Sequence, residues 1–111
     1  MSELASKKCV PCQGGIPPLS AVEIQPLLVQ LNGWEAFENK HLQKTFTFED
    51  FVGALDFVNQ IGGVAEEEDH HPDLYLAWGR VEIKIWTHKI NGLSESDFIL
   101  AAKIDALCAG V

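Results

Sequence analysis

The segment LYLAWGRVEIKIWTH, residues 74–88, sets the architecture because it predicts two strands joined by a tight turn. Gly79 and Arg80 suit the two central positions of a β-hairpin turn, with glycine in the first of them. Apolar residues alternate along the return strand at Val81, Ile83 and Ile85. Period two puts these residues on a buried face and points the side chains of Trp86 and His88 together to the opposite face.

A second pair of strands is predicted upstream, over residues 34–38 and 41–48, around the short connection Asn39-Lys40. The second of these strands carries alternating apolar residues, as a strand with one buried face does. Two strand pairs joined by short turns favour a largely antiparallel sheet.

The first helix is predicted from Ser20, which forms a capping-box pattern with Glu23, to the stop signal Asn32-Gly33. Apolar residues then repeat at helical spacing along this segment. Pro26 lies past the first turn, so we expect it to kink the helix or delay its start.

Two further helices follow the strand pairs. One is predicted from Glu49 until Gly62-Gly63 closes it, and the other follows the capping pattern of Ser94 and Asp97 and ends the chain. The order is α-β-β-α-β-β-α. It predicts an α+β two-layer sandwich, with a four-stranded antiparallel sheet covered by helices on one face.

Length and composition predict a single domain, residues 20–111, behind an N-terminal arm, residues 1–19. The net charge of -8 argues against direct nucleic-acid binding, because phosphate backbones would be repelled. No apolar run approaches the roughly 20 residues that span a bilayer, and the first residues lack the apolar core of a signal peptide. We therefore expect a cytoplasmic protein.

The arm is rich in proline and glycine, so we expect it to be extended rather than helical. Cys9 and Cys12 have the C-x-x-C spacing of a zinc half-site or a redox pair, but no second such pair follows. A tethered segment with reduced thiols is the simpler interpretation. Cys108 lies on the apolar stripe of the last helix, which indicates a core residue rather than a nucleophile.

Candidate catalytic residues lie in the connection between the second helix and the third strand, where the acidic run 66–69 precedes His70 and His71. The start of an antiparallel hairpin near Pro72 lies beside the end of its return strand near His88. All three histidines therefore line one predicted pocket. Histidine changes its charge near neutral pH, so such a group suits acid/base catalysis.

Other interpretations of these residues stay open. The acidic run also suits a solvated helix end, and the histidine pair a polar loop. A zinc site made from the three histidines lacks a completing ligand. Asp97 is typical of a helix cap, while Trp34 and Trp86 suit either core aromatics or a stacking wall for a flat ring.

A set of residues in the second half of the chain resembles the signature of the pterin-4a-carbinolamine dehydratase family. The set is Glu66-x-x-x-His70-His71-Pro72, then Tyr75, then Thr87-His88, then Gly92-Leu93-Ser94-x-x-Asp97. The resemblance extends over about residues 19–107, since Gly33-Trp34 and Phe46-x-Phe48-x-x-Phe51 also look like family positions.

The resemblance implies dehydration of a 4a-hydroxytetrahydrobiopterin to the quinonoid dihydropterin, a step that recycles the pterin of aromatic amino acid hydroxylases. It implies no metal and no organic cofactor. The catalytic residues that it implies are His70, His71 and His88, with His70 and His88 as the acid/base pair. The substrate-binding or supporting residues that it implies are Glu66, Asp69, Trp34, Trp86, Thr87, Lys89 and Asp97, with Trp34 near the pocket.

The resemblance also implies a homodimer or homotetramer, and the broad apolar stripe of the last helix, widened by Phe98 and Ile99, is the expected oligomer face. An aromatic amino acid hydroxylase is a further implied partner. The alternative function is a non-catalytic protein-binding module, since some animal members act as transcriptional coactivators. The physiological pterin, the separate roles of the histidines and the role of the cysteine arm do not follow from the sequence.

Overall fold

The computed structural model describes residues 3–7, 9 and 17–108, without the side chains of Glu3 and Cys108. The described helices and strands are, in chain order, α1 (Ala21–Leu28), β1 (Glu35–Phe37), β2 (His41–Thr47), α2 (Phe51–Glu68), β3 (Asp73–Ala77), β4 (Arg80–Ile85) and α3 (Glu95–Cys108). Two single turns of 3-10 helix lie at Glu3–Ser6 and His88–Ile90. None of the described helices is both long and apolar enough to cross a membrane.

The four strands form one antiparallel sheet in the order β1-β2-β4-β3. Leu42 of β2 pairs with Ile85 of β4, and Leu74 of β3 pairs with Ile83. Alternate residues of β4 are fully buried, as period two predicts for a sheet covered on one face. The predicted α+β fold is confirmed, and the core lies between this face and the helices.

The hairpin turn differs from the prediction by one residue. Ala77 pairs with Arg80, so the two central positions are Trp78 and Gly79, with glycine second rather than first. Glycine is required there because a Cβ would lie 2.9 Å from the carbonyl oxygen of Phe48. The Phe48 N–H also donates to the Gly79 carbonyl at 2.8 Å, which ties this turn to the end of β2.

The first helix begins at the predicted capping box of Ser20 and Glu23, but it ends at Leu28 rather than at Asn32-Gly33. Pro26 lies inside it and removes one backbone donor two residues before the end. The chain then tightens into hydrogen bonds three residues apart, such as that from the Gln30 N–H to the Leu27 carbonyl, and these replace the last helical turn.

The second helix does not close at Gly62-Gly63 but continues to Glu68. Glycine inside a helix costs about 1 kcal/mol relative to alanine, and the buried neighbours Ile61 and Ala65 outweigh that cost by packing in the core. The helix ends at Asp69, which has a left-handed backbone with φ 52°. The glutamates at 66–68 are therefore its last turn, and the predicted connection shortens to residues 69–72.

The last helix was expected to offer its apolar stripe to an oligomer, and that expectation is wrong. Phe98 is fully buried and Ile99 is 1% exposed within the single chain. The stripe packs against α2 and the 3-10 turn at Glu3–Ser6. Glu3–Ser6, within the predicted arm, form this 3-10 turn. Cys12 and the side chain of Cys108 lie outside the described residues.

Candidate active site

A cavity of about 350 Å³ lies where the connection after α2 meets the chain leaving β4. Its lining residues are Asp69, His70, His71, Trp86, Thr87, His88 and Lys89. The structure thus brings together the three histidines and four of the residues that the sequence predicted beside them. The register of β3 with β4, in which Asp73 pairs with Lys84, produces this meeting of the two segments.

A buried carboxylate, Asp97, contacts the first histidine and is held by several hydrogen bonds. Asp97 is fully buried, and its Oδ1 lies 2.6 Å from Nε2 of His70. Its Oδ2 accepts hydrogen bonds from Thr87 Oγ1 at 2.9 Å and from the Ser94 N–H at 2.8 Å. Asp97 is thus both the predicted helix cap and the partner of His70.

This hydrogen bond assigns the tautomer of the His70 ring. A carboxylate only accepts hydrogen bonds, so Nε2 must carry the proton that it donates to Asp97. Nδ1 of the neutral ring is then unprotonated. His70 therefore has one nitrogen held by the protein and one that can exchange a proton with a bound molecule.

The second histidine has a more exposed partner. Nε2 of His71 bonds to Oε2 of Glu66 on the last turn of α2. The side chains of His71 and Glu66 are 54% and 79% exposed, so water screens this pair. Glu66 orients His71 without lining the cavity itself.

The third histidine sits in the 3-10 turn His88–Ile90 instead of at the end of the return strand, because β4 ends at Ile85. Its ring remains beside that of Trp86, with the centroids 4.4 Å apart, as the predicted shared face implies. His88 is exposed to solvent. Thr87, next to it, is held by backbone hydrogen bonds with Gly92 and by its contact with Asp97.

Trp34, which was expected near the pocket, is a core residue in this structure. It is 6% exposed, packs edge-on against Phe46 and donates from Nε1 to both oxygens of Asp105 at 3.0 Å. Lys44 also binds Asp105, at 2.8 Å. This Asp105 cluster was not predicted, because it is formed by residues distant in the chain, without a spacing pattern.

Other groups near the site were also missed. The carboxylate of Glu68 accepts a hydrogen bond from the N–H of Cys9, and the Cys9 thiol donates to the carbonyl of Ser96. Burial and the neighbouring Glu68 raise the pKa of the Cys9 thiol to about 11. Across the described part of the chain, no three His, Cys, Asp or Glu side chains are grouped to hold a metal ion.

The fold and the cavity define a small α+β protein with a carboxylate-held histidine in a pocket suited to acid/base chemistry. The chain belongs to the pterin 4 alpha carbinolamine dehydratase family, whose model matches residues 17–107.

Relatives and solved structures agree with this membership. A protein of Rubrobacter xylanophilus, provisionally named a pterin-4-alpha-carbinolamine dehydratase, is 57% identical over 96% of this chain and 100% of its own length. A protein of Rickettsia canadensis with the same provisional name is 55% identical over 96% of this chain and 98% of its own.

Among solved structures, a transcriptional coactivator/pterin dehydratase from Brucella melitensis has a TM-score of 0.76 and 34% identity, over 81% of this chain and 97% of its own. A pterin dehydratase-like protein described as a RuBisCO assembly factor of the alpha-carboxysome shares the fold. Its TM-score is 0.60 and its identity 22%, over 70% of this chain and 92% of its own.

Proposed function

We propose that this protein dehydrates 4a-hydroxytetrahydrobiopterin to the quinonoid dihydropterin and water by histidine general acid/base catalysis. The observation that carries the proposal is the hydrogen bond between buried Asp97 and His70, beside a cavity that His71 and His88 also line. Membership of the family supports a pterin carbinolamine as the substrate class.

The reaction breaks the bond between C4a and its hydroxyl oxygen and removes a proton from a ring nitrogen. Water leaves, and a C–N double bond forms in the ring. We assign His70 as the base that takes the ring proton, because Asp97 leaves Nδ1 unprotonated. We assign His88 as the acid that protonates the leaving hydroxyl, because its exposure allows it to regain a proton from water. His71 contacts the substrate.

A pterin is flat and carries donors and acceptors around its edge, so it needs an apolar wall with polar groups at the rim. Trp86 offers the wall, while Asp69, Thr87 and Lys89 carry polar groups at the cavity. We assign these four residues to substrate binding. The sequence left two roles open for Trp34 and Trp86, a core aromatic and a stacking wall for a flat ring. We assign the stacking role to Trp86 and the core role to Trp34.

The proposed biological role is to recycle the pterin of aromatic amino acid hydroxylases in the cytoplasm, as a homodimer or homotetramer. A hydroxylase is a proposed partner. Light scattering coupled to size-exclusion chromatography measures the oligomeric state. A mass of one chain at working concentration contradicts that part of the proposal.

The test follows the spectroscopic decay of an enzymatically generated 4a-hydroxytetrahydropterin with the purified protein. His70→Ala and His88→Ala are compared with the control Glu67→Gln, an exposed residue near the cavity that does not line it. We expect the wild type and the control to accelerate the decay and both cavity variants, checked for folding, to lose the acceleration. No acceleration by the folded wild type contradicts the enzyme proposal.

A second candidate function is non-catalytic protein binding, including transcriptional coactivation. Three apolar residues near the start of α2, Phe51, Val52 and Leu55, are 41%, 64% and 38% exposed and offer a surface for another protein. The Brucella melitensis relative is named for both roles. A wild type without dehydratase activity that captures a partner through this surface, and loses it in Val52→Glu, favours this candidate.

A further inference from the structure

The described N-terminal residues lie before the match to the family model, which begins at residue 17, yet they pack into the domain. Leu4 is 1% exposed and belongs to the hydrophobic core. Lys103 of α3 donates from Nζ to the carbonyl of Ala5 at 2.9 Å. Buried apolar surface and a hydrogen bond therefore hold the first turn of the chain on α3.

A second attachment follows at Cys9. Its N–H donates to Oε1 of Glu68 at 2.9 Å, and its thiol lies 3.5 Å from the carbonyl oxygen of Ser96. The Glu68 side chain is 4% exposed, and Lys103 lies 3.9 Å from its other oxygen. Cys9 thus joins the end of α2 to the start of α3.

The two contacts of Cys9 lie next to the two members of the pair formed by His70 and Asp97. Glu68 is the last residue of α2, two positions before His70, and Ser96 immediately precedes Asp97. We propose that residues 3–7 and Cys9, acting through the Glu68 carboxylate, are a positioning element that sets His70 against Asp97. This inference rests on the proposed function for its kinetic consequence and on the structure alone for its geometric one.

These contacts bear on the position of the His70 ring through the end of α2. The chain reverses at Asp69, and the His70 N–H bonds back to the Ala65 carbonyl at 3.2 Å, so the angle at which α2 ends determines where the His70 ring lies. A buried carboxylate held by a backbone N–H fixes that end. The Cys9 thiol is 3.5 Å from the Ser96 carbonyl oxygen, to which it donates.

The experiment compares Glu68→Leu, Glu68→Gln and the neighbouring control Glu67→Gln in the full chain. Leucine removes the acceptor for the Cys9 N–H, glutamine keeps an oxygen there, and Glu67 is exposed on the same helical turn. Two readouts are taken, steady-state kinetics on the carbinolamine and the ring proton–carbon correlation of His70 by NMR at fixed pH. The His41 ring signal is the internal reference.

We expect Glu68→Leu to lower kcat about tenfold with KM within about twofold, because a misplaced catalytic group slows chemistry more than binding. Its His70 signal moves while that of His41 does not. Glu68→Gln recovers most of both readouts, and Glu67→Gln matches the wild type. A folded Glu68→Leu with wild-type kcat and an unmoved His70 signal overturns the proposal, whatever its melting temperature.

A second variant keeps the test decisive where Glu68→Leu does not fold. Lys103→Met retains the aliphatic stem but loses the donor to Ala5 and the charge beside Glu68. We expect Lys103→Met to lower kcat about threefold and to move the His70 signal. If neither kcat nor the His70 signal changes, the proposal is overturned. If the wild type lacks dehydratase activity, the proposed function fails, and the His70 signal alone decides the positioning role.

Discussion

The two carboxylate–histidine pairs at the cavity differ in their surroundings. Asp97 is fully buried and holds His70 while two donors, Thr87 and the Ser94 N–H, hold Asp97. The pair of Glu66 and His71 is exposed to water on both sides. A buried, fully bonded carboxylate fixes the position and tautomer of its histidine, whereas an exposed one biases only an orientation. We therefore expect the chemistry to depend on the first pair far more than on the second.

The largest expected effect separates the two pairs by kinetics. Asp97→Asn lowers kcat about 10³-fold, because an amide can donate to Nε2 and stabilise the wrong His70 tautomer. Glu66→Gln lowers kcat less than about threefold, because water replaces its contact. Steady-state decay of the carbinolamine measures both. Equal losses of kcat in the two folded variants would show that burial does not decide which pair matters more for catalysis.

The thiol near the buried pair provides a measure of protection by burial. With its pKa raised from 9.0 to about 11, Cys9 is alkylated about 100-fold more slowly in the native protein than in urea at pH 8, because the thiolate reacts. Peptide mapping of Cys12→Ser by mass spectrometry separates the modification of Cys9 from that of Cys108. A native rate equal to the unfolded rate would contradict the described burial.

The same pKa shift affects folding stability in a defined pH window. Because the folded state keeps the Cys9 proton to higher pH, its contribution is fully present below pH 9 and is lost as the pH rises toward about 11. Urea unfolding between pH 8 and 11, compared with Cys9→Ala, measures this contribution. A variant with the same pH dependence as the wild type rules it out.

Stability should separate the two pairs as well. Asp97→Ala costs about 2 kcal/mol, since it removes a helix cap and leaves the buried Thr87 hydroxyl and Ser94 N–H short of their acceptor. Glu66→Ala changes the free energy of unfolding by less than about 0.5 kcal/mol. Urea unfolding measures both variants. A large loss in Glu66→Ala would give the exposed pair a structural role that its solvation does not explain.

The smallest expected effect concerns α2, the helix that carries Glu66 of the exposed pair. Gly63 lies inside α2, and a Cβ at that position meets no atom within 4 Å. Gly63→Ala should raise the free energy of unfolding by up to about 1 kcal/mol, because alanine loses less backbone freedom on folding. Urea unfolding checks the sign. A loss of stability would contradict a helix that runs continuously to Glu68.

Patterns of local spacing predicted the sheet and the meeting of the three histidines. The apolar alternation of β4 and the antiparallel hairpin of β3 and β4 were enough for these predictions. The hydrophobic pattern and the turn set the strand register, and both are local in the sequence. The end of α2 was not predictable this way, since buried Ile61 and Ala65 override the glycine signal only once the sheet is in place. Tertiary packing decides such boundaries.

The same limit applies to the site. The Ser94-x-x-Asp97 spacing indicated a helix cap, but it did not show that the second carboxylate oxygen holds His70. Trp34 matched a family position, yet its hydrogen bonds with Asp105, far along the chain, put it in the core. Contacts between residues distant in sequence leave no periodic signal in one chain.

The most direct measurement is the long-range proton–nitrogen NMR spectrum of the His70 ring, with and without a stable dihydropterin. We expect Nε2 to carry the proton and the Nδ1 resonance to move when the pterin binds. A ring protonated at Nδ1 when neutral, or a His70 spectrum that the pterin leaves unchanged, would contradict an Asp97-held base facing the substrate.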